Sequence, residues 1–168
     1  MGQRNLGLEW LRLRFGRSPG VAGVVYFADD DNTYDLLLFQ YMRRVRGAGC
    51  WPVAFLANAW VEHPNVEGGL VKSWNTSYNP KWEFALDMAG FAIHLSLILK
   101  YPQARFGGKC KAGNFESCFI QSLGGLRNEN LTAFGLEGEA GQKEVLVWHT
   151  KTKQNEISLN GKKNGFII

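Results

Sequence analysis

Three adjacent aspartates, Asp29-Asp30-Asp31 in "YFADDDNTY", follow directly on the apolar run Val21 to Ala28. Neighbouring carboxylates repel one another, so the arrangement is costly unless positive charge offsets it. Hard divalent cations take carboxylate oxygens and bridge to substrate phosphates, often with only one or two protein carboxylates as ligands. An Asp-x-Asp at a strand end therefore fits a metal–diphosphate site. A solvated acidic turn capping the following helix accounts for the same residues.

Glu116 lies in "GNFES", near the start of a short helix after a glycine turn. A carboxylate there can act as a general base once burial or neighbours raise its pKa, or it can simply favour the positive end of the helix dipole. Glu62 and Asp87 are each flanked by apolar residues and read either as cavity acids or as exposed loop acids. His149, at the end of "EVLVWHT" and two residues before Lys151, suits a pair that holds diphosphate oxygens. A strand-end histidine bonded to backbone is the competing reading. His63 in a proline loop and His94 in an apolar run offer less. No phosphate-binding glycine loop, Ser–His–Asp order or HExxH motif occurs. Cys50, Cys110 and Cys118 lack metal-ligand spacing and read as buried or free thiols, an odd number forbidding full internal pairing.

The elements that must position these groups read as a mixed α/β domain. A helix is predicted from Asn5 to Phe15, ended by "GRSPG" at 16–20. Val21 to Ala28 has the continuous apolar character of a strand buried on both faces. Asn32 or Thr33 is the expected cap of a helix through "YDLLLFQYMRRVR". Residues 48–57 form a second buried strand candidate, with Pro52 marking an edge or bulge. A loop at 63–69 precedes an alternating strand at 70–78. A strand or turn near Gly90 leads into a helix towards Lys100. A short helix over 115–124 is stopped by Gly124-Gly125. The polar, glycine-rich stretch 125–143 reads as a surface excursion, 144–150 as a last strand, and the tail as loop.

The 168 residues, 45% hydrophobic and 13% aromatic, suffice for one packed core. No run approaches the roughly 18–20 apolar residues of a membrane span. "MGQRNLGLEW" lacks the features of a secretory signal, and Leu6 spoils a myristoylation start at Gly2. The net charge of +4 comes from dispersed basic residues without interleaved aromatics, which argues against nucleic acid as a partner. Asn75-Thr76-Ser77 and Asn130-Leu131-Thr132 are glycosylation sequons, relevant only in a secretory compartment.

Taken in order, "GVVYFADDDNTYDL", "WPVAF", "FALDMAGFAI", "ES" after a glycine turn, "VLVWHTKT" and "GKKNGF" closely resemble the β-1,3-glucuronosyltransferases of proteoglycan-linker and glycan-epitope synthesis. The resemblance runs from residue 3 nearly to the end, with gaps mainly in 125–143. It implies a GT-A fold in a Golgi type II membrane protein, lumenal and dimeric. The implied reaction moves glucuronate from UDP-glucuronate to O3 of a terminal galactose, with inversion and Mn²⁺. It also implies Asp31 as metal ligand, Asp29 and Asp30 along the nucleotide-sugar site, and Glu116 as catalytic base. Glu62 and Asp87 become acceptor-galactose contacts, His149 a diphosphate contact, and Lys151 stands where the family usually has Arg. Trp82-Glu83 replace the family's Arg-Pro, "GNFES" replaces "GYQES", and a glycosylated Asn-Cys-Thr is missing. The family's first nucleotide-binding strands, uridine-binding residues, stem and anchor have no counterpart. The expectation is thus an N-terminally truncated GT-A domain over 1–168, a fragment or a shortened product, with weak or absent transfer on its own. Two alternatives stand beside it: a catalytically dead relative serving as a dimerisation or glycan-binding module, and the same fold with another donor such as UDP-xylose.

Overall fold

The computed structural model describes residues 2–18, 20–77, 79–136, 143–151 and 165–167. Two sheets lie at its centre. The first has four strands in the order β1 (Val24–Tyr26), β7 (Phe91–His94), β3 (Ala48–Cys50) and β8 (Leu131–Ala133). The β1–β7 and β7–β3 pairs are antiparallel and β3–β8 is parallel. The second has five, in the order β2 (Asn32–Tyr34), β10 (Val147–His149), β4 (Val53–Ala54), β5 (Val61–Glu67) and β6 (Leu70–Asn75).

Pro52 lies at the crossover between these sheets. The chain leaves the first after Cys50 and enters the second at Val53, where a residue without an N–H costs no ladder bond. Trp51 is buried at this step and donates its indole N–H to the Ala89 carbonyl at 2.7 Å.

Helix α1 (Gly2–Phe15) packs Leu8 fully into the core. Its Arg12 guanidinium donates to the carbonyls of Ile98, Tyr101 and Ala104, which face the end of α3 (Leu95–Lys100) and the turn after it. The Tyr101 carbonyl also accepts the Ala104 N–H, and a cation is well placed at such a helix C-terminus. Asn5 clamps the backbone of Phe106 in both directions. Helix α4 (Phe115–Ser122) buries Ser117, Phe119 and Ile120 and ends as expected before Gly124 and Gly125, both at positive φ.

Several expectations need correction. The first strand is short and half-buried, because β1 is an edge strand of its sheet rather than a central one. Residues 63–67 continue strand β5 instead of forming a loop. The turn is confined to Gly68-Gly69 at φ 58° and 79°, which closes a two-residue hairpin onto β6. The cap of α2 (Leu36–Arg44) is Asp35, whose side chain accepts the Leu37 N–H at 2.7 Å, while Asn32 and Thr33 belong to strand β2. Leu131–Ala133 is the parallel partner of β3, with Leu131 buried, so the 125–143 stretch is not wholly an excursion. Strand 144–150 is split, β9 (Lys143–Glu144) pairing with β11 (Phe166–Ile167), so the tip of the tail is strand rather than loop. Cys110 and Cys118 form a disulfide; Cys50 is the buried free thiol. Among the described residues no helix is long and apolar enough to cross a membrane.

Candidate active site

At the end of β1 the chain turns through Asp29-Asp30-Asp31 and returns as β2 beside β10. This register sets Asn32 opposite His149. The Asp31 carbonyl accepts both the N–H and the hydroxyl of Thr150, each at 2.8 Å. The His149 ring bridges the turn, Nδ1 lying 2.9 Å from Asn32 Oδ1 and Nε2 3.3 Å from the Asp31 carboxylate. Asp29 is held otherwise. Its carboxylate accepts from the Arg4 guanidinium at 2.7 Å, and its carbonyl accepts the Tyr34 hydroxyl at 2.6 Å. Asp30 and Asp31 are exposed, Asp31 with 54% of its side chain in solvent. Lys151 follows as an exposed residue.

A second group of acids lines a cavity of about 390 Å³. Glu62 comes from β5, Asp87 from the turn before β7, and Glu116 from the first turn of α4; Trp82, Phe115 and Leu86 supply apolar wall. Glu62 accepts both the backbone N–H and the hydroxyl of Ser77, at 2.8 and 2.7 Å. Asp87 caps the 3-10 turn Met88–Gly90 by accepting the Ala89 N–H at 3.0 Å. Tyr26 and Trp51 hold that turn by donating to the Ala89 carbonyl.

Burial pushes the Asp87 carboxyl above its ordinary range, and the negative Asp29 adds to this against the Ala89 and Met88 N–H groups and His149. Burial likewise raises Glu116. Its own N–H and Arg4 oppose that rise, while Asp87 and Asp29 reinforce it. Asp29 therefore links the strand end to the cavity, acting on both Asp87 and Glu116, while Arg4 pairs with Asp29 and acts on Glu116.

Asp30 and Asp31 offer the hard oxygen donors a divalent cation prefers. Among the described residues, no group of three or more His, Cys, Asp or Glu is placed to hold a metal unaided. That donor set fits an ion whose coordination is completed by substrate phosphates and water. Of the sequons, Asn130 is exposed, whereas Asn75 is half-buried and donates its amide to the Val61 carbonyl.

Sequence reasoning passed over Arg4, Asn32, Tyr34 and Ser77. Arg4 carries no local signal, since its partner is 25 residues away. Asn32 and Tyr34 were legible only as neighbours of the triplet.

Comparison with known proteins gives the lineage. The sequence pattern of glycosyltransferase family 43 matches residues 1–153. The chain is similar to human galactosylgalactosylxylosylprotein 3-beta-glucuronosyltransferase 1, with 46% identity over 164 residues, 96% of this chain and 47% of the human protein. The Rattus norvegicus counterpart matches equally, and Mus musculus galactosylgalactosylxylosylprotein 3-beta-glucuronosyltransferase 3 is 41% identical over 92% of this chain and 47% of its own length. The chain spans about half the length of the curated relatives it matches. Its mixed α/β sheets are consistent with the GT-A-type fold expected from the sequence, and the chain belongs to glycosyltransferase family 43.

Proposed function

We propose that the protein carrying this chain is an inverting glycosyltransferase that moves glucuronate from UDP-glucuronate to O3 of a terminal galactose on a proteoglycan-linker or related glycan. One observation carries the proposal: half-buried Glu116 shares a cavity with Asp87 and Glu62 and feels the charge of Asp29 at the strand end.

The acceptor galactose enters the cavity, with Glu62 and Asp87 accepting its hydroxyl hydrogens and Trp82 and Phe115 excluding water from its flank. Glu116, as carboxylate, accepts the proton of the attacking hydroxyl. That oxygen bonds to the anomeric carbon from the face opposite the diphosphate, whose C–O bond breaks with its electron pair leaving on UDP. A single displacement inverts the anomeric centre and requires no enzyme nucleophile. Asp31, with Asp30 beside it, would hold a Mn²⁺ ion, whose charge makes the diphosphate a better leaving group. His149 and Lys151 meet diphosphate oxygens, and Arg4 keeps Asp29 aligned under them. Lys151 supplies a point charge there rather than the bidentate fork of an arginine. The Cys110–Cys118 disulfide suits an oxidising compartment, in keeping with the lumenal side of a Golgi membrane. The working form is a homodimer in this proposal.

The test is transfer by the purified protein to a galactose-terminated disaccharide, with UDP-glucuronate and Mn²⁺, read by mass and by the anomeric configuration of the product. Glu116→Gln should lose transfer while still binding UDP. Transfer that persists in E116Q, or a product of retained configuration, would contradict the assignment.

A further inference from the structure

Helix α4 begins without the usual support. Its eight residues, Phe115–Ser122, are too few to be stable alone. Asn114 at its cap position makes no side-chain capping bond, and the Asn114 Oδ1 atom is buried without a partner. The loop before it is permissive, with Gly107, Gly108 and Gly113 all at positive φ. The far side of the helix is well held: Phe119 and Ile120 are fully buried, and the Ser117 hydroxyl accepts the Phe84 N–H at 3.2 Å. The first turn, which carries Glu116 into the cavity, is held from below by Ser117 and by Phe115 against the core, but its cap position supplies no side-chain bond.

What spans this gap is covalent. Cys118, two residues beyond Glu116, is joined to Cys110 in the loop, with the two Cα atoms 6.3 Å apart and a sequence separation of 8. The loop and first turn so joined supply Gly113, Phe115 and Glu116 to the cavity wall. Both cysteines are half-buried.

We infer that the Cys110–Cys118 disulfide is a positioning element for Glu116, standing in for the missing helix cap and keeping the base inside the cavity. The inference rests on the reading of Glu116 as the proton acceptor. Dithiothreitol supplies two electrons and two protons, leaving two cysteine thiols and its own cyclic disulfide. The first turn of α4 is then free to fray towards the glycine-rich loop, and water reaches the Glu116 carboxyl. The charged groups acting on that carboxyl are Asp87 beside β7, Asp29 after β1 and Arg4 on α1. None of the three is on the clipped loop, so their influence persists while the desolvation is lost.

The experiment is a ¹³C-carboxyl NMR titration of Glu116 in the glutamate-labelled full chain, assigned with Glu116→Gln, before and after dithiothreitol and after re-oxidation. In the oxidised chain Glu116 should titrate above an ordinary glutamate. On reduction its midpoint should fall towards that of an ordinary glutamate, with re-oxidation restoring it. The Cys110→Ser/Cys118→Ser double variant should match the reduced chain and fail to recover. UDP and Mn²⁺ binding, which depends on the strand-end turn, should not change. An unchanged midpoint overturns the inference, as does a global loss of circular dichroism on reduction, which would make the disulfide a general staple. Alkylation of all three cysteines in the untreated chain would overturn it too. The titration needs no turnover, so absence of glucuronate transfer would defeat the proposed reaction while leaving this result readable.

Discussion

The acids at the end of β1 and the acids around the cavity are held in opposite ways. Asp30 and Asp31 stand in solvent, and Asp31 is fixed mainly through its backbone carbonyl and a histidine neighbour. Glu62 and Asp87 are instead tied to named backbone donors, and Asp87 and Glu116 are raised by burial. Exposed carboxylates in a row are available to a cation. Buried ones trade charge for poised basicity and for hydrogen-bonding direction. In the proposed reaction the turn would manage negative charge that arrives with a ligand, and the cavity would manage a proton.

The largest effect that would separate the regions is on rate. Glu116→Gln should lower transfer by about 10²- to 10⁴-fold, the usual contribution of a positioned base, without weakening UDP binding in calorimetry. Next comes a stability effect confined to the cavity. Glu62→Ala removes a buried carboxylate and its two bonds to Ser77, which is exposed and can turn to water, and should cost about 0.5–1.5 kcal/mol in urea unfolding. Asp31→Ala, at an exposed site, should stay within about 0.5 kcal/mol of the parent. Equal losses in both variants would erase the distinction drawn between the regions.

The pH dependence follows from the same contrast. Glu116 and Asp87 titrate above their ordinary 4.5 and 3.8 when folded. The folded chain therefore retains protons that the unfolded chain has released. Stability from the protonated groups is complete below those ordinary values and is lost as pH rises through the folded midpoints. The urea midpoint should fall across that window, and Glu116→Gln should flatten part of the fall. Transfer should run the other way, rising with pH as Glu116 becomes a carboxylate. A further small effect is expected at Arg4. Its ion pair with Asp29 is about one-third exposed on each side, so Arg4→Gln should cost no more than about 1 kcal/mol. It should also move the Glu116 midpoint slightly upwards, because Arg4 opposes the rise.

Much of the site was legible locally. The acid triplet after an apolar run, the glutamate in the first turn of a short helix and the histidine closing the last apolar strand each follow from their immediate neighbours. What escaped depends on distant pairing. Leu131–Ala133 sits in polar, glycine-rich sequence and becomes core strand only because β3 offers it a parallel edge. Val61–Glu67 contains a proline and lacks a clean alternation, yet the Gly68-Gly69 turn brings it onto β6. Asp35 displaced Asn32 and Thr33 as a helix cap because β10 recruits those residues into a ladder. The disulfide was invisible for a simpler reason: three cysteines give no indication of which two approach each other.

The central claim is that the strand-end aspartates receive a metal-bound nucleoside diphosphate. It is tested most directly by calorimetry of UDP with the chain, with and without Mn²⁺, and with Asp31→Ala. Binding should require both the ion and Asp31. UDP bound equally well without Mn²⁺, or by the alanine variant, would contradict it.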